Sequence, residues 1–279
     1  MRQFWTFISI VVVLFGCSTP NIDKDSLKVL GHAGAGFPSI NNHFPINSME
    51  SIQQALFVHG ADGVEVDIQM TADSQFVLYH DQRLESGAND TGFISNWLWS
   101  DLKELKRRDS KTSLHPAIGL WRLEDLLNFV DSLHLDIWLS LNIQNQYEVL
   151  DQQAYNLRVL HVLEEQFSTF SGLTKMIVES PDHDCIVALK DLPDTYGVHL
   201  FYTGQLTESN LTRTGPFVTG FVTNYLSETE TTVRNAKDLG FQIALYGVKI
   251  RQDIPPAIKM QPDFIQTDNV PLTLSILNR

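Results

Sequence analysis

The chain has 279 residues, 43% of them hydrophobic and 19% charged, a globular composition long enough for one large core. Acidic residues outnumber basic ones 33 to 20, for a formal net charge of −13. With no run of Lys or Arg, that balance excludes nucleic acid as a partner, because affinity for a phosphate backbone rests on clustered cations.

At the amino terminus, Arg2 precedes an apolar run from Phe4 to Phe15, followed by Gly16 and Cys17. A basic residue ahead of about a dozen apolar ones reads as a secretory signal; the run is shorter than the roughly twenty residues of a spanning helix. A small residue followed by Cys resembles a bacterial lipoprotein lipobox. That resemblance implies lipidation of Cys17, a membrane anchor, and a place in the bacterial cell envelope, on the outer membrane or facing the periplasm. A plain signal peptide with an incidental Cys is the alternative. The expected organisation is a signal segment over residues 1–16, a tether over 17–26 and one domain over 27–279. Cys185 is the only other cysteine, so a lipidated Cys17 leaves no pair for an intrachain disulfide.

Short β-branched runs then alternate with amphipathic stretches. Strands are expected at 28–31, 63–69, 136–141, 175–179, 198–202, 218–223, 242–246 and 263–267. Between them, residues 48–59 place Met49, Ile52, Ala55 and Leu56 on one helical face before Gly60. Residues 227–239 read as another helix, with Ser227 as its N-cap and Gly240 at its end. Strands alternating with helices imply a parallel sheet, and eight such units in a chain of this length imply a (β/α)8 TIM barrel. A doubly wound open sheet is the alternative, but no GxGxxG accompanies the strands. Residues 76–125 interrupt the alternation with an extra strand at 76–81 and a local helix near 99–107, an insertion after the second strand. In a barrel, such an insertion lies on the face where loops carry function.

Alternate residues of a strand face one side, so Glu65 and Asp67 point together, opposite Val64, Val66 and Ile68. Two neighbouring carboxylates repel unless a cation or a proton lies between them. At the end of a barrel strand the pair reads as a hard-metal site for Ca²⁺ or Mg²⁺; a strand edge with two solvated acids is the other reading. His32, after the first strand, and His80, after the extra one, belong at the same face. Two histidines flanking a phosphate supply a general acid and a general base; taken singly, each reads first as a hydrogen-bonded structural residue.

Gly31-His32, the turn Pro45-Ile46-Asn47-Ser48, Gly60 to Asp67, Thr71-Ala72-Asp73 with His80-Asp81, and Phe264 to Pro271 stand in one order. That order and spacing resemble the glycerophosphodiester phosphodiesterase family, with a weaker match at 123–127. The resemblance implies a metal-dependent hydrolase of glycerophosphodiesters, or of related phosphodiesters derived from phospholipids, on a (β/α)8 barrel. It places the catalytic histidines at His32 and His80, and the first metal carboxylates at Glu65 and Asp67. The family's Arg after the first His is Ala33 here. Its Glu-x-Lys on the third barrel strand is Asn142-Ile143-Gln144, which makes Asn142 the third metal ligand and Gln144 a substrate contact. Its Glu-Asn-Thr turn keeps only Asn47, a further substrate contact. Lys249 and Glu179 are candidates to replace the missing charges, Lys249 on the substrate. The alternative function is a barrel that binds a phosphodiester or a metal without turnover. A sugar or choline platform of Trp97, Trp99 and Trp121 is a third, set against ordinary core packing.

Overall fold

The computed structural model describes residues 26–37, 42–107, 118–144, 146, 148–170, 175–192 and 196–279. The expected signal segment, Cys17 and the expected tether as far as residue 25 lie outside them.

Nine strands form one sheet: β1 (Lys28–Gly31), β2 (Gly63–Met70), β3 (Phe76–Leu78), β4 (Trp138–Ile143), β5 (Met176–Ser180), β6 (Val198–Thr203), β7 (Gly220–Asn224), β8 (Gln242–Val248) and β9 (Phe264–Thr267). Eight run parallel and close into a barrel, because β1 pairs with both β2 and β9. The ninth, β3, turns back antiparallel on the end of β2, with Ile68 opposite Leu78. The (β/α)8 barrel and the extra strand after the second barrel strand are therefore both present, and closure excludes the open sheet.

The helices are α1 (Met49–Gln53), α2 (Trp99–Leu102), α3 (Leu123–Ser132), α4 (Gln152–Thr169), α5 (His183–Leu189), α6 (Glu208–Arg213), α7 (Glu230–Asp238), α8 (Ile254–Lys259) and α9 (Val270–Leu277). Ser48 caps α1 by accepting from the Ser51 amide, and the helix widens into a π-helical turn, Gln54–Val58, instead of running on as α-helix. The N-cap of α7 is Thr229 and not Ser227. Ser227 closes a 3₁₀ turn that Asn224 caps, and the Thr229 hydroxyl accepts from the Thr232 amide instead. The helix expected near 99–107 is the single turn α2, since the chain leaves it at Lys103 and pairs Arg107 with Ala88. Among the described residues, no helix is long and apolar enough to cross a membrane.

Strand parity sorts the side chains. Val64, Val66 and Ile68 point outward, where they pack with Ile52, Leu127 and Leu163 from the helices. Inside the barrel, Leu30, Ile177, Phe201, Val222, Ala244 and Phe264 form a dry plug, each no more than 2% exposed. Burying a large apolar side chain contributes about 1.5–3 kcal/mol, so this plug holds the strands in register beneath the polar end. Above it, the same inward parity continues with polar residues.

Candidate active site

Glu65 and Asp67 follow Gly63 along the inward face of β2, and each is 1% exposed. The next strand aligns Ser140 with Glu65 and Asn142 with Asp67, and β5 aligns Glu179 with Asn142. His32 follows β1, Gln144 follows β4 and Asp268 follows β9, so all arrive at the carboxyl end of the barrel. His80 reaches the same rim from β3, in a segment held where Gln69 Nε2 donates to the carbonyls of Tyr79 and Asp81 (2.8 and 2.7 Å).

The His32 ring is fixed from both sides. Its Nδ1 lies 2.7 Å from Asp268 Oδ1, and its Nε2 lies 3.9 Å from Glu65 Oε2. The Ala33 amide donates to the same Glu65 oxygen at 2.8 Å. Gly36 lets the loop lie against the Asp268 backbone: at φ +89°, a Cβ there would meet it at 2.4 Å. Burial alone would lower the His32 pKa, but the Asp268 hydrogen bond, with the charges of Glu65, Asp268 and Asp67, raises it to about 9. Burial, and then the facing Asp67, hold the Glu65 carboxyl well above the usual range. At neutral pH the imidazole therefore carries a proton, held between two carboxyl groups.

Asp67 is surrounded by amides. Asn47 Nδ2 donates to its Oδ2 at 2.8 Å and Asn47 Oδ1 accepts from its backbone amide at 2.9 Å. This two-point clasp holds Asn47 in the left-handed region, at φ +56°. Asn142 Nδ2 and Gln144 Nε2 both donate to Asp67 Oδ1, at 3.2 and 2.5 Å. Glu179 accepts from Ser140, Gln266 and Thr203; burial raises its pKa despite those bonds.

Among the described residues, no group of three or more His, Cys, Asp or Glu is arranged to hold a metal ion. The site does have the donors for a two-carboxylate cation site completed by an amide. Glu65 Oε1 is buried and without a hydrogen-bond partner among the described residues, and carboxylate and amide oxygens suit Ca²⁺ or Mg²⁺. Asn142 directs its nitrogen at Asp67, and a half-turn of that amide would present its oxygen.

These groups open onto a cavity of about 360 Å³ lined by His32, Asp67, His80, Asn142, Gln144 and Lys249 among others. His80 is bonded through Nδ1 to Asp81 at 3.0 Å, with its side chain 40% exposed. Of the nine residues expected at the site, seven line the cavity, Glu179 among them. Glu65 and Asn47 lie just beneath it, bonded to Ala33 and Asp67. Two participants were missed. Asp268 lies within the closing motif quoted above, yet nothing local assigns it to His32, 236 residues away. Phe37, whose ring centroid is 5.6 Å from that of His32 and 6.1 Å from that of His80, lies in a stretch with no periodic pattern. Trp97, Trp99 and Trp121 are not in the cavity lining; Trp97 and Trp99 pack with Val77, Tyr79 and Leu84, and Trp121 against the main core.

Known proteins repeat this architecture. A glycerophosphodiester phosphodiesterase of Caldanaerobacter subterraneus subsp. tengcongensis is 21% identical over 254 residues, covering 90% of this chain and 98% of that one. In two other curated relatives the match spans only 60% and 62% of their length. A Silicibacter pomeroyi chain assigned as a glycerophosphoryl diester phosphodiesterase superposes with a TM-score of 0.80 at 20% identity, over 90% of this chain and 93% of that one. An Oleispira antarctica phosphodiesterase, solved in complex with the product sn-glycerol-3-phosphate, superposes with a TM-score of 0.77 at 16% identity, over 90% and 97%. The family model for glycerophosphoryl diester phosphodiesterases matches residues 39–272, most of the sequence. This chain belongs to the glycerophosphoryl diester phosphodiesterase family.

Proposed function

We propose that this protein hydrolyses glycerophosphodiesters, or related diesters derived from phospholipids, with one divalent cation, Ca²⁺ or Mg²⁺. The observation that carries the reading is the His32 ring clamped between Asp268 and Glu65, sharing one cavity with His80 in a barrel of this family. Glu65 and Asp67 would hold the cation, with the Asn142 amide as third donor. Bound there, a cation supplies charge to stabilise the developing phosphoryl oxyanion. The rest falls to the chain itself. With Nδ1 committed to Asp268, His32 exchanges its proton through Nε2. His80, fixed by Asp81, exchanges the second proton within the same cavity. Asn47 keeps Asp67 aimed, and Gln144 lies where it meets substrate beside it.

The test uses the full chain in detergent, stripped of metal, with sn-glycerol 3-phosphate release measured from a panel of glycerophosphodiesters. Release with Ca²⁺ or Mg²⁺ that stops in chelator, and that His80→Ala abolishes, is the expected result. No release under any metal condition would refute turnover and leave a diester- or metal-binding barrel. We further propose that lipidated Cys17 holds the domain on the bacterial cell envelope. Cys17→Ala should then move the protein from the membrane fraction to the soluble one, and an unchanged distribution would count against the anchor.

A further inference from the structure

Lys249 follows β8, at the mouth of the cavity. Three features set its position. The strand carries a bulge between Leu245 and Val248, where Gly247 adopts φ +84° and a Cβ would meet the Asn224 side chain at 2.9 Å. The Val248 carbonyl accepts from the Asp268 amide and the Thr267 hydroxyl, both at 3.0 Å, so the residue before Lys249 is tied to the partner of His32. The Lys249 and Ile250 amides then both donate to Asp253 Oδ2 at 2.9 Å, and Tyr225 donates to the other oxygen of that carboxylate at 2.6 Å.

From this frame the Lys249 ammonium lies 5.8 Å from the centroid of the Phe37 ring, the ring that also touches His32 and His80. Lys249 is thus grouped with the two histidines around one aromatic ring. Among the described residues lining the cavity, it is the one Lys or Arg, and its ammonium makes no direct ion pair with a described residue. The other side chains that could hold an anion are engaged: His32 Nδ1 is bonded to Asp268, His80 Nδ1 to Asp81, and the Gln144 and Asn142 nitrogens to Asp67, while Ala33 has no polar side chain. A phosphodiester anion entering a pocket lined by Asp67 and Glu179, with Glu65 beneath, gains from a positive charge beyond that of the His32 ring, and an ammonium is a point charge suited to phosphate.

We propose that Lys249, delivered by the bulged end of β8, is the side-chain ammonium that binds the substrate's phosphate at the mouth of this pocket. The inference rests on the reading of the site as one for glycerophosphodiesters. The test titrates the full chain with sn-glycerol 3-phosphate by calorimetry and, separately, measures diester turnover. Losing a charged hydrogen bond to phosphate should weaken binding of the probe by Lys249→Met about ten- to a hundredfold. KM should rise more than kcat falls, and melting should be unchanged because Lys249 is exposed. Lys249→Arg should retain most of the affinity. In the same cavity, adding Gln144→Lys to Lys249→Met should restore part of it. Equal affinity in wild type and Lys249→Met would overturn the proposal and leave the functional reading intact. Binding that depends on Lys249 without release from any diester would uphold the proposal and refute hydrolysis. No binding of the probe by the wild type would overturn both.

Discussion

Replacing Asp268 by Asn keeps the shape of the side chain that clamps His32 and removes its charge. The His32 pKa of about 9 exceeds its ordinary 6.5 by about 2.5 pH units, and at 1.36 kcal/mol per unit that is about 3 kcal/mol favouring the protonated ring. A hydrogen bond to a charged group accounts for about 1.5–3 kcal/mol, so Asp268→Asn should bring the His32 midpoint down to about 7–8, with Glu65 and Asp67 still opposing the effect of burial. The measurement is a titration of the ring Cε1–H signal by NMR in cation-free buffer, assigned by comparison with His32→Asn. Stability gives an independent reading. A pKa raised by folding stabilises the native state fully below the unfolded value of 6.5, and that contribution is lost as pH rises through about 9. The advantage of wild type over Asp268→Asn should therefore be full at pH 6 and decline across that window. Coincident titrations in the two proteins, or a stability gap independent of pH between 6 and 9.5, would refute the argument that Asp268 sets the charge of this ring.

Two further outcomes can be measured directly. Asn47→Ala should destabilise the fold by about 2–4 kcal/mol in urea, since it leaves Asp67 short of two buried hydrogen bonds and puts Ala at φ +56°. Asn47→Gly should recover only the backbone part, and equal stability of the two variants would show that φ contributes nothing. Cys185 is buried and its thiol is pushed up to about 12, so at pH 8 on the order of one in ten thousand is thiolate. Peptide mass spectrometry after alkylation should find the Cys185 peptide unlabelled until denaturant is added, and rapid native labelling would refute its burial.

The barrel was legible because a buried parallel strand has few ways to be written: each expected strand lies on an observed one within a few residues. Glu65 and Asp67 were legible for the same reason, since period-two alternation identifies the inward face without knowledge of any partner. Relations between distant strands were not. That Asn142 and Gln144 both donate to Asp67 depends on the register of β4 against β2, and that Asp268 meets His32 depends on closure. The misplaced cap of α7 has a local cause: Ser227 and Thr229 are both competent cap residues, and the 3₁₀ turn before the helix decides between them.

The pairing of β1 with β9 bears on how the protein is made. His32 is synthesised 236 residues before Asp268, so its ring has no clamp while the chain between them is emerging from the ribosome. During that interval the edges of β1 and β9 have no partner in each other, and contacts this distant in sequence form slowly. Activity should therefore appear abruptly rather than in proportion to chain length, and shortened chains lacking β9 should be inert however well their first strands have formed.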